Sequence, residues 1–437
     1  MAALWQAASR SFPGIQGPVT GVSMNASNPR VLLVGYNGAN NTGAEALLLS
    51  DIEDVRAVLG AEAHITVPTL NEQNLRRYLK ESANLSIARI PSLFFAAIDK
   101  LIKEHDMLFL VEGSTYMDTW SSALLWLYLW ATRCAHAAGK LSLTYAVDAG
   151  EVRSPFNRRL VRTEASKTDL IIVRARAAAE RLRSFGVRAP IEVTADNAFT
   201  FRPERQDEGW VQRDWPEAAG RGLVGLAVVD PYQWPVSMRL WGRREDCYKW
   251  PYYFSRSPER TRATEALAAR YAALADALVA QHGKAVALIG MEQLDESFAQ
   301  MVLRRMAHAD QARLFSARDH NASQMTVLLR GLDLLVTSRY HACVLSLAAQ
   351  VPQVAVGHDL RLKTIYGELG LLDRYFFDPS DPDLSQLLAD RVEELLARPA
   401  PVRGLLRRGY VEHTAQAKRN RELLRRFVQA RGWEVAA

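Results

Sequence analysis

From residue 31 the chain alternates between continuous apolar runs and stretches with helical spacing. "VLLVGY" (31–36), "HITVPT" (64–69), "DMLFLVEG" (106–113), "LSLTYAVD" (141–148), "DLIIVRA" (169–175) and "IEVTAD" (191–196) read as strands. Between them "TGAEALLLSDIEDVRAVLG" (42–60), a long stretch through Arg133 to Ala138, residues 155–167 and "AAAERLRSFG" (177–186) have helical spacing. The first of these has Asn41 or Thr42 as N-cap and Gly60 as stop. Strands that are apolar throughout belong to a parallel sheet covered by helices on both faces. The alternation breaks at "RPERQDEGWVQRDWPEAAGRG" (202–222) and then resumes with "LVGLAVV" (223–229), "AVALIG" (285–290), "ARLFSA" (312–317), "LDLLVTS" (332–338) and "VPQVAVG" (351–357). The predicted fold class is therefore α/β, with two tandem Rossmann-like doubly wound domains facing a cleft. The expected boundaries are a flexible lead-in over 1–30, an N-terminal domain over 31–202, a linker over 203–222, a C-terminal domain over 223–398 and a basic helical segment over 399–437.

Composition changes this picture little. The length of 437 residues exceeds what one core usually serves, and 49% apolar with 23% charged residues is ordinary for a globular chain. A net charge of +6 favours anionic substrates or an anionic surface over a solvated basic exterior only when a site supports it. Cys134, Cys247 and Cys343 lie far apart without metal spacing, which argues against a structural zinc or a disulfide framework and for a reducing compartment. The first thirty residues have no continuous apolar core, and the most apolar run, "ALLWLYLWA" (123–131), is too short to span a bilayer and reads as a buried helix. The expectation is a cytoplasmic protein. The arginine-rich C-terminal segment either crosses back over the N-terminal domain or touches anionic lipid at the inner face of a membrane. Nucleic acid has only the net charge in its favour and is set aside.

Four turns at strand ends carry candidate chemistry. "GYNGANNTGAE" (35–45) follows a strand and opens a helix, so backbone N–H groups can face an anion; its spacing matches neither GxGxxG nor a P-loop. Asn37, Asn41 and Glu45 lie in it. "VEGSTYMD" (111–118) brings Ser114 and Asp118 to the next strand end, where Asp118 can accept a hydroxyl proton or cap a helix. In "IIVRARAAAERL", Arg174 leaves an apolar strand and offers a planar fork to phosphate or carboxylate, or else to a neighbouring acid. In "LDLLVTSRYHACVLSLAA", Arg339 and His341 occupy the turn from strand to helix, and "GHDLRLK" brings His358 and Lys363 to the same edge. The stretch 230–261, dense in Trp, Tyr, Pro and Arg, shows neither period; it reads as a long loop, either packed by its own aromatics or holding a sugar ring by stacking.

"GYNGANNTGAEALL", "EGSTYMD", "VRARAAAERLRSFGV" with "TADNAF", and "TSRYHACVLSLAAQVPQVAVGHDLRLK", in this order, resemble the polysaccharide pyruvyl transferase family over roughly 31–372. The Ser-x-Arg-x-His turn followed by a strand and Asp-x-x-x-Lys is the most specific part. The resemblance implies a GT-B-like fold and a transferase that moves the pyruvyl group of phosphoenolpyruvate onto sugar hydroxyls of a glycan or exopolysaccharide precursor, commonly as a cyclic ketal, with release of phosphate. It implies no cofactor and no metal, phosphoenolpyruvate being the donor substrate, and an acceptor that is a free or lipid-linked saccharide. Position by position, His341 becomes the general acid, Asp118 the group that orients or deprotonates the acceptor, and Arg339, Arg174 and Lys363 the cations for the donor's anions. His358, Asn37, Asn41, Glu45 and Ser114 complete the expected substrate contacts. Two departures stand out: the usual Gly-Gly-Gly turn is Glu112-Gly113-Ser114, and the acidic residue usual after the strand-end arginine is Ala175. The alternatives are a GT-B-type nucleotide-sugar glycosyltransferase, with Glu292 or Asp295 gripping ribose hydroxyls, and a catalytically silent glycan-binding relative.

Overall fold

The structure, a computed structural model, describes residues 28–436 except 120, 234–235, 245–246, 250–251 and 255. Most of the lead-in expected over 1–30 therefore lies outside the described residues. The chain forms two compact units, one comprising residues through Gly38, Leu47–Asn197 and Gln416–Ala437, the other Ala39–Ala46 and Ala198–Ala415.

The first unit is built on β1 (Arg30–Val34), β2 (His64–Thr69), β3 (Leu85–Arg89), β4 (Met107–Leu110), β5 (Leu141–Val147), β6 (Leu170–Val173) and β7 (Ile191–Val193). They form one parallel sheet in the order β3-β2-β1-β4-β5-β6-β7. The continuous apolar runs are explained by two cores, one on each face. Leu32 and Val34 of β1 with Leu108 and Leu110 of β4 face one core, together with Trp126 and Trp130 of the helix Ser122–Ala137. Val31, Leu33, Met107 and Phe109 face the other, which also takes in Leu424, Phe427 and Val428 near the C-terminus. Both indole N–H groups on the first face have acceptors, Asn157 Oδ1 at 2.8 Å and the Phe95 carbonyl at 2.9 Å. A buried tryptophan needs such a partner to avoid leaving a donor unsatisfied.

The second unit repeats the plan. β8 (Leu223–Ala227), β12 (Ala285–Gly290), β13 (Ala312–Ser316), β14 (Leu334–Thr337), β15 (Gln353–Val356) and β16 (Phe376–Phe377) make a parallel sheet in the order β13-β12-β8-β14-β15-β16. Between β8 and β12 lies the stretch expected to be an irregular loop. It holds a separate antiparallel sheet of β9 (Val236–Met238), β10 (Cys247–Lys249) and β11 (Tyr252–Phe254), followed by the helix Pro258–His282. Strands of three residues are too short for an alternating pattern to show in the sequence. Residues 203–222 carry the short helices Arg205–Asp207, Trp210–Asp214 and Pro216–Ala218 and belong to this unit, with Trp210 and Trp215 buried.

The basic C-terminal segment is the helix Ala400–Gln429. Val402 and Leu406 are buried, and Leu424, Phe427 and Val428 enter the first unit's core, so these apolar positions are covered by protein rather than open to lipid. No helix among the described residues is long and apolar enough to cross a membrane.

Candidate active site

In a doubly wound sheet the strand order reverses at one point, where loops leaving the carboxyl ends diverge and ligands bind. In the second sheet this point lies between β8 and β14. The Thr337 hydroxyl at the end of β14 accepts from the Arg339 N–H (2.9 Å) and donates to the Arg339 carbonyl (3.0 Å). The Ser338 N–H donates to the Ala227 carbonyl of β8 at 2.8 Å. The backbone is thus pinned from both sides as it leaves the strand. Arg339 then stands in extended conformation before the short helix Tyr340–Ser346.

The Arg339 guanidinium turns toward the end of β12. Its Nε donates to Asp295 Oδ2 (2.8 Å), its Nη2 donates to Asp295 Oδ1, and Nη2 also lies 3.1 Å from Glu292 Oε2. Such a fork-to-fork pair fixes the plane of the guanidinium as well as its place. Nη1 makes no hydrogen bond among the described residues. Burial pushes the Asp295 carboxyl up to about 6, against the opposing pull of Arg339. Burial also works against the charge on Arg339, but Asp295 and Glu292 outweigh it and hold the guanidinium firmly ionised.

His341 is the second residue of the short helix. Its ring lies against Gly43, where an added Cβ would overlap Nδ1 and Cγ. Gly43 is held there by the segment around it, which belongs to this unit. The Thr42 N–H donates to the Met291 carbonyl (2.9 Å), the Gln293 N–H to the Asn40 carbonyl (3.0 Å), and Asn40 Nδ2 to Gln293 Oε1 (3.0 Å). Asn41 caps the helix Thr42–Leu59 through its Oδ1, which accepts from the Ala44 N–H at 3.0 Å. Glu45, buried, accepts from the Ala322 N–H at the start of another helix (2.9 Å). Asn41 and Glu45, expected as substrate contacts, take part in seating the strap that carries Gly43.

One short stretch, Met291-Glu292-Gln293-Leu294-Asp295, serves both halves of this arrangement. It docks the strap through Met291 and Gln293 and fixes Arg339 through Glu292 and Asp295. Sequence reasoning saw these two acids only as ribose ligands. The signal it lacked was the β12–β8–β14 order, which brings the ends of β12 and β14 to either side of β8.

The reversal point of the first sheet lies between β1 and β4. Here Glu112 bridges the two strand ends, accepting from the Tyr36 N–H (3.2 Å) and the Ser114 N–H (3.1 Å). Gly113 faces Arg174, whose Nη1 would lie 2.7 Å from a Cβ at that position. The sequence placed Arg174 at an open strand edge facing a ligand, but in the structure it is buried among acids. Its side chain is 1% exposed, with Nε donating to Asp148 Oδ2 (3.1 Å) and Nη1 to Asp196. It braces the 112–114 turn from beneath. Asn37 is likewise turned inward, donating to the carbonyls of Leu33 and Pro68 at 3.4 Å each. Asp118, half-buried, accepts from the Arg153 N–H (2.8 Å), the Ser154 N–H (3.1 Å) and Asn157 Nδ2 (2.9 Å) at the start of the helix Pro155–Leu160. A carboxylate offers about four lone-pair sites, so roughly one is left for a substrate hydroxyl.

His358 and Lys363 are exposed beyond β15; His358 Nδ1 is 3.4 Å from Asp378 Oδ2, and neither residue is hydrogen-bonded or ion-paired to Arg339. Among the described residues no group of His, Cys, Asp and Glu is arranged to hold a metal ion.

Two Rossmann-like units with these parallel sheets define the GT-B class. Solved structures with the same fold include a UDP-N-acetylglucosamine 2-epimerase (12% identity, TM-score 0.59, covering 94% of this chain and 98% of that one). The UDP-GlcNAc 2-epimerases from Neisseria meningitidis, bound to UDP-GlcNAc (9% identity, TM-score 0.57, 92% and 100% covered), and Methanocaldococcus jannaschii (9% identity, TM-score 0.53, 84% and 93% covered) share it. No curated protein matches the sequence. Residues 41–359 match the polysaccharide pyruvyl transferase family, and the chain belongs to that family.

Proposed function

We propose that this protein transfers the pyruvyl group of phosphoenolpyruvate to hydroxyls of a saccharide, closing a cyclic ketal and releasing phosphate. The observation that carries the reading is the joint placement of Arg339 and His341 at the reversal point of the second sheet, with Arg339 oriented by Asp295 and Glu292 and His341 seated on Gly43. Phosphoenolpyruvate brings a carboxylate and a phosphate, and the Nη1 edge of Arg339 takes up one of them. His341 supplies the proton that goes to C3, turning the methylene into a methyl and leaving C2 oxocarbenium-like. An acceptor hydroxyl adds to C2 and gives up its proton to a carboxylate, the role that the family resemblance gives to Asp118. A second hydroxyl then displaces phosphate from C2 and closes the ketal. Lys363 offers further positive charge, and His358 a further hydrogen-bonding group, to the donor from the same sheet edge. Arg174, Glu45, Asn37 and Asn41 act as positioning residues, through the hydrogen bonds that each makes within the protein. Preorganised charge of this kind supplies the larger part of the rate. No resident cofactor enters the scheme.

The commitment of Glu292 and Asp295 to Arg339 weighs against a nucleotide-sugar transferase, since those acids were its candidate ribose ligands. The test is phosphate release from phosphoenolpyruvate in the presence of acceptor. Arg339→Ala and His341→Ala each lower it by at least about 10²-fold, in line with the loss of an electrostatic or acid–base group. Transfer of solvent deuterium into the product methyl stops with His341→Ala. Turnover near that of the parent in either variant removes the assignment, and ligand binding without any phosphate release by the parent favours the silent relative.

A further inference from the structure

The antiparallel sheet inserted after β8 leaves the second parallel sheet at its reversal point, next in order to β14. Tyr253 and Phe254 of β11 are buried and anchor it. Between β9 and β10 the chain reads Arg239-Leu240-Trp241-Gly242-Arg243-Arg244. Every one of these residues is exposed, Leu240 to 66% and Trp241 to 79%. The turn is braced from within: a Cβ on Gly242 would come within 2.6 Å of the Tyr253 ring, and Arg239 Nε donates to Ser237 Oγ at 3.0 Å.

Single exposed apolar side chains are common on protein surfaces. Here two large ones are adjacent on an exposed connection, and all three charged residues from 239 to 244 are arginine. Glu245 and Asp246 follow, so the connection 239–246 carries a net charge of +1, with its three arginines nearest Leu240 and Trp241. Leu360, 44% exposed, opens the helix that follows β15 and adds an apolar side chain at the same carboxyl edge of the sheet. A saccharide platform asks for hydrogen-bonding groups that converge beside an aromatic face. Trp241 has Leu240 on one side and cations beyond. An aromatic ring and an aliphatic chain flanked by arginines are instead the composition that settles at a lipid–water interface, the ring at headgroup level and the guanidinium groups on phosphates.

We propose that the connection 239–244 seats this protein on an anionic lipid surface, with Leu240 and Trp241 entering the interfacial layer and Arg239, Arg243 and Arg244 pairing with lipid phosphates. The inference does not depend on the proposed reaction, because binding is read with no substrate present. The full chain is sedimented with vesicles of phosphatidylglycerol and phosphatidylethanolamine, and with vesicles of phosphatidylcholine alone. The expected result is binding to the anionic vesicles, weakened by added salt and lowered at least about tenfold in the double variant Leu240→Ser, Trp241→Ser and in the triple variant with Arg239, Arg243 and Arg244 each changed to Gln. Brominated lipid quenches tryptophan emission of the parent, and Trp241→Phe sediments like the parent but loses that part of the quenching. This last variant keeps the test valid should the double variant fold poorly. Absence of sedimentation by the parent overturns the proposal, as does unchanged binding in both multiple variants. Loss of soluble oligosaccharide binding by the double variant, with vesicle binding unchanged, also overturns it and assigns the tip to a glycan.

Discussion

At Gly43 the imidazole of His341 takes the space any side chain would fill, so Gly43→Ala must move either the ring or the strap beneath it. A displacement near one ångström at a proton donor can lower turnover about 10²-fold. The expected outcome is a fall in kcat of that order with donor affinity little changed, read by phosphate release and by calorimetry with phosphoenolpyruvate. Unchanged kcat would detach His341 from the chemistry. Asp295 offers a test through pH. Below about 6 its carboxyl takes a proton, which removes one of the negative charges facing Arg339. Affinity for an anionic donor should therefore rise as pH falls through about 6, and Asp295→Asn should flatten that dependence. The ligand's own phosphate titrates near 6 as well, which is why the comparison of parent with variant is the readout. The same upward shift favours the folded state at acid pH, and its contribution is lost as pH rises through about 6. Arg339 and His341 stood out in the sequence because cations and imidazoles are rare between an apolar strand and a small-residue helix. Asp295 and Glu292 did not, because their meaning lies in a contact with Arg339, far away in sequence.

Among the elements, the long apolar strands were readable because both faces are buried, which leaves runs such as Val31–Val34 and Ala285–Ile289 without polar interruption. The helix Ser122–Ala137 was readable for the same reason, being buried from Leu125 to Thr132. β3, whose later residues are only partly buried, and the two-residue β16 carry no such signal. The departures from the family pattern also resolve at this scale. Glu112, standing where a glycine is usual, uses its carboxylate to join two turns. Ala175 occupies the N-cap of the helix Arg176–Ser184, which consequently has no side-chain cap. Ala175→Asp should supply the missing acceptor and stabilise the protein by about 1 kcal/mol, measured by urea unfolding. A variant no more stable than the parent would mean that the first turn already finds its partners elsewhere.

The molecule as a whole departs from a simple reading in chain order at two places. Residues 39–46 belong with the second unit, and residues 416–437 belong with the first. The strap's assignment leaves no local trace, and the return of the C-terminal segment was only one of two readings, since each depends on partners far away in sequence: Met291 and Gln293 for the strap, Asp54 and Ala195 for Arg421 and Asn420. The returning segment is structural as well as basic. Phe427 sits in the core with Val31, Leu33 and Phe109, so Phe427→Ala should cost about 3–5 kcal/mol. Urea unfolding checks this, and a loss below about 1 kcal/mol would show that the segment adds little to that core. The conclusion that joins both scales is the transfer reaction. Mass spectrometry of candidate saccharides incubated with phosphoenolpyruvate reads it, with phosphate assayed in the same tube. The parent protein should add the mass of one pyruvyl ketal for each phosphate released, and His341→Ala should add none. An unmodified saccharide in every case, or an equal gain with His341→Ala, would contradict it.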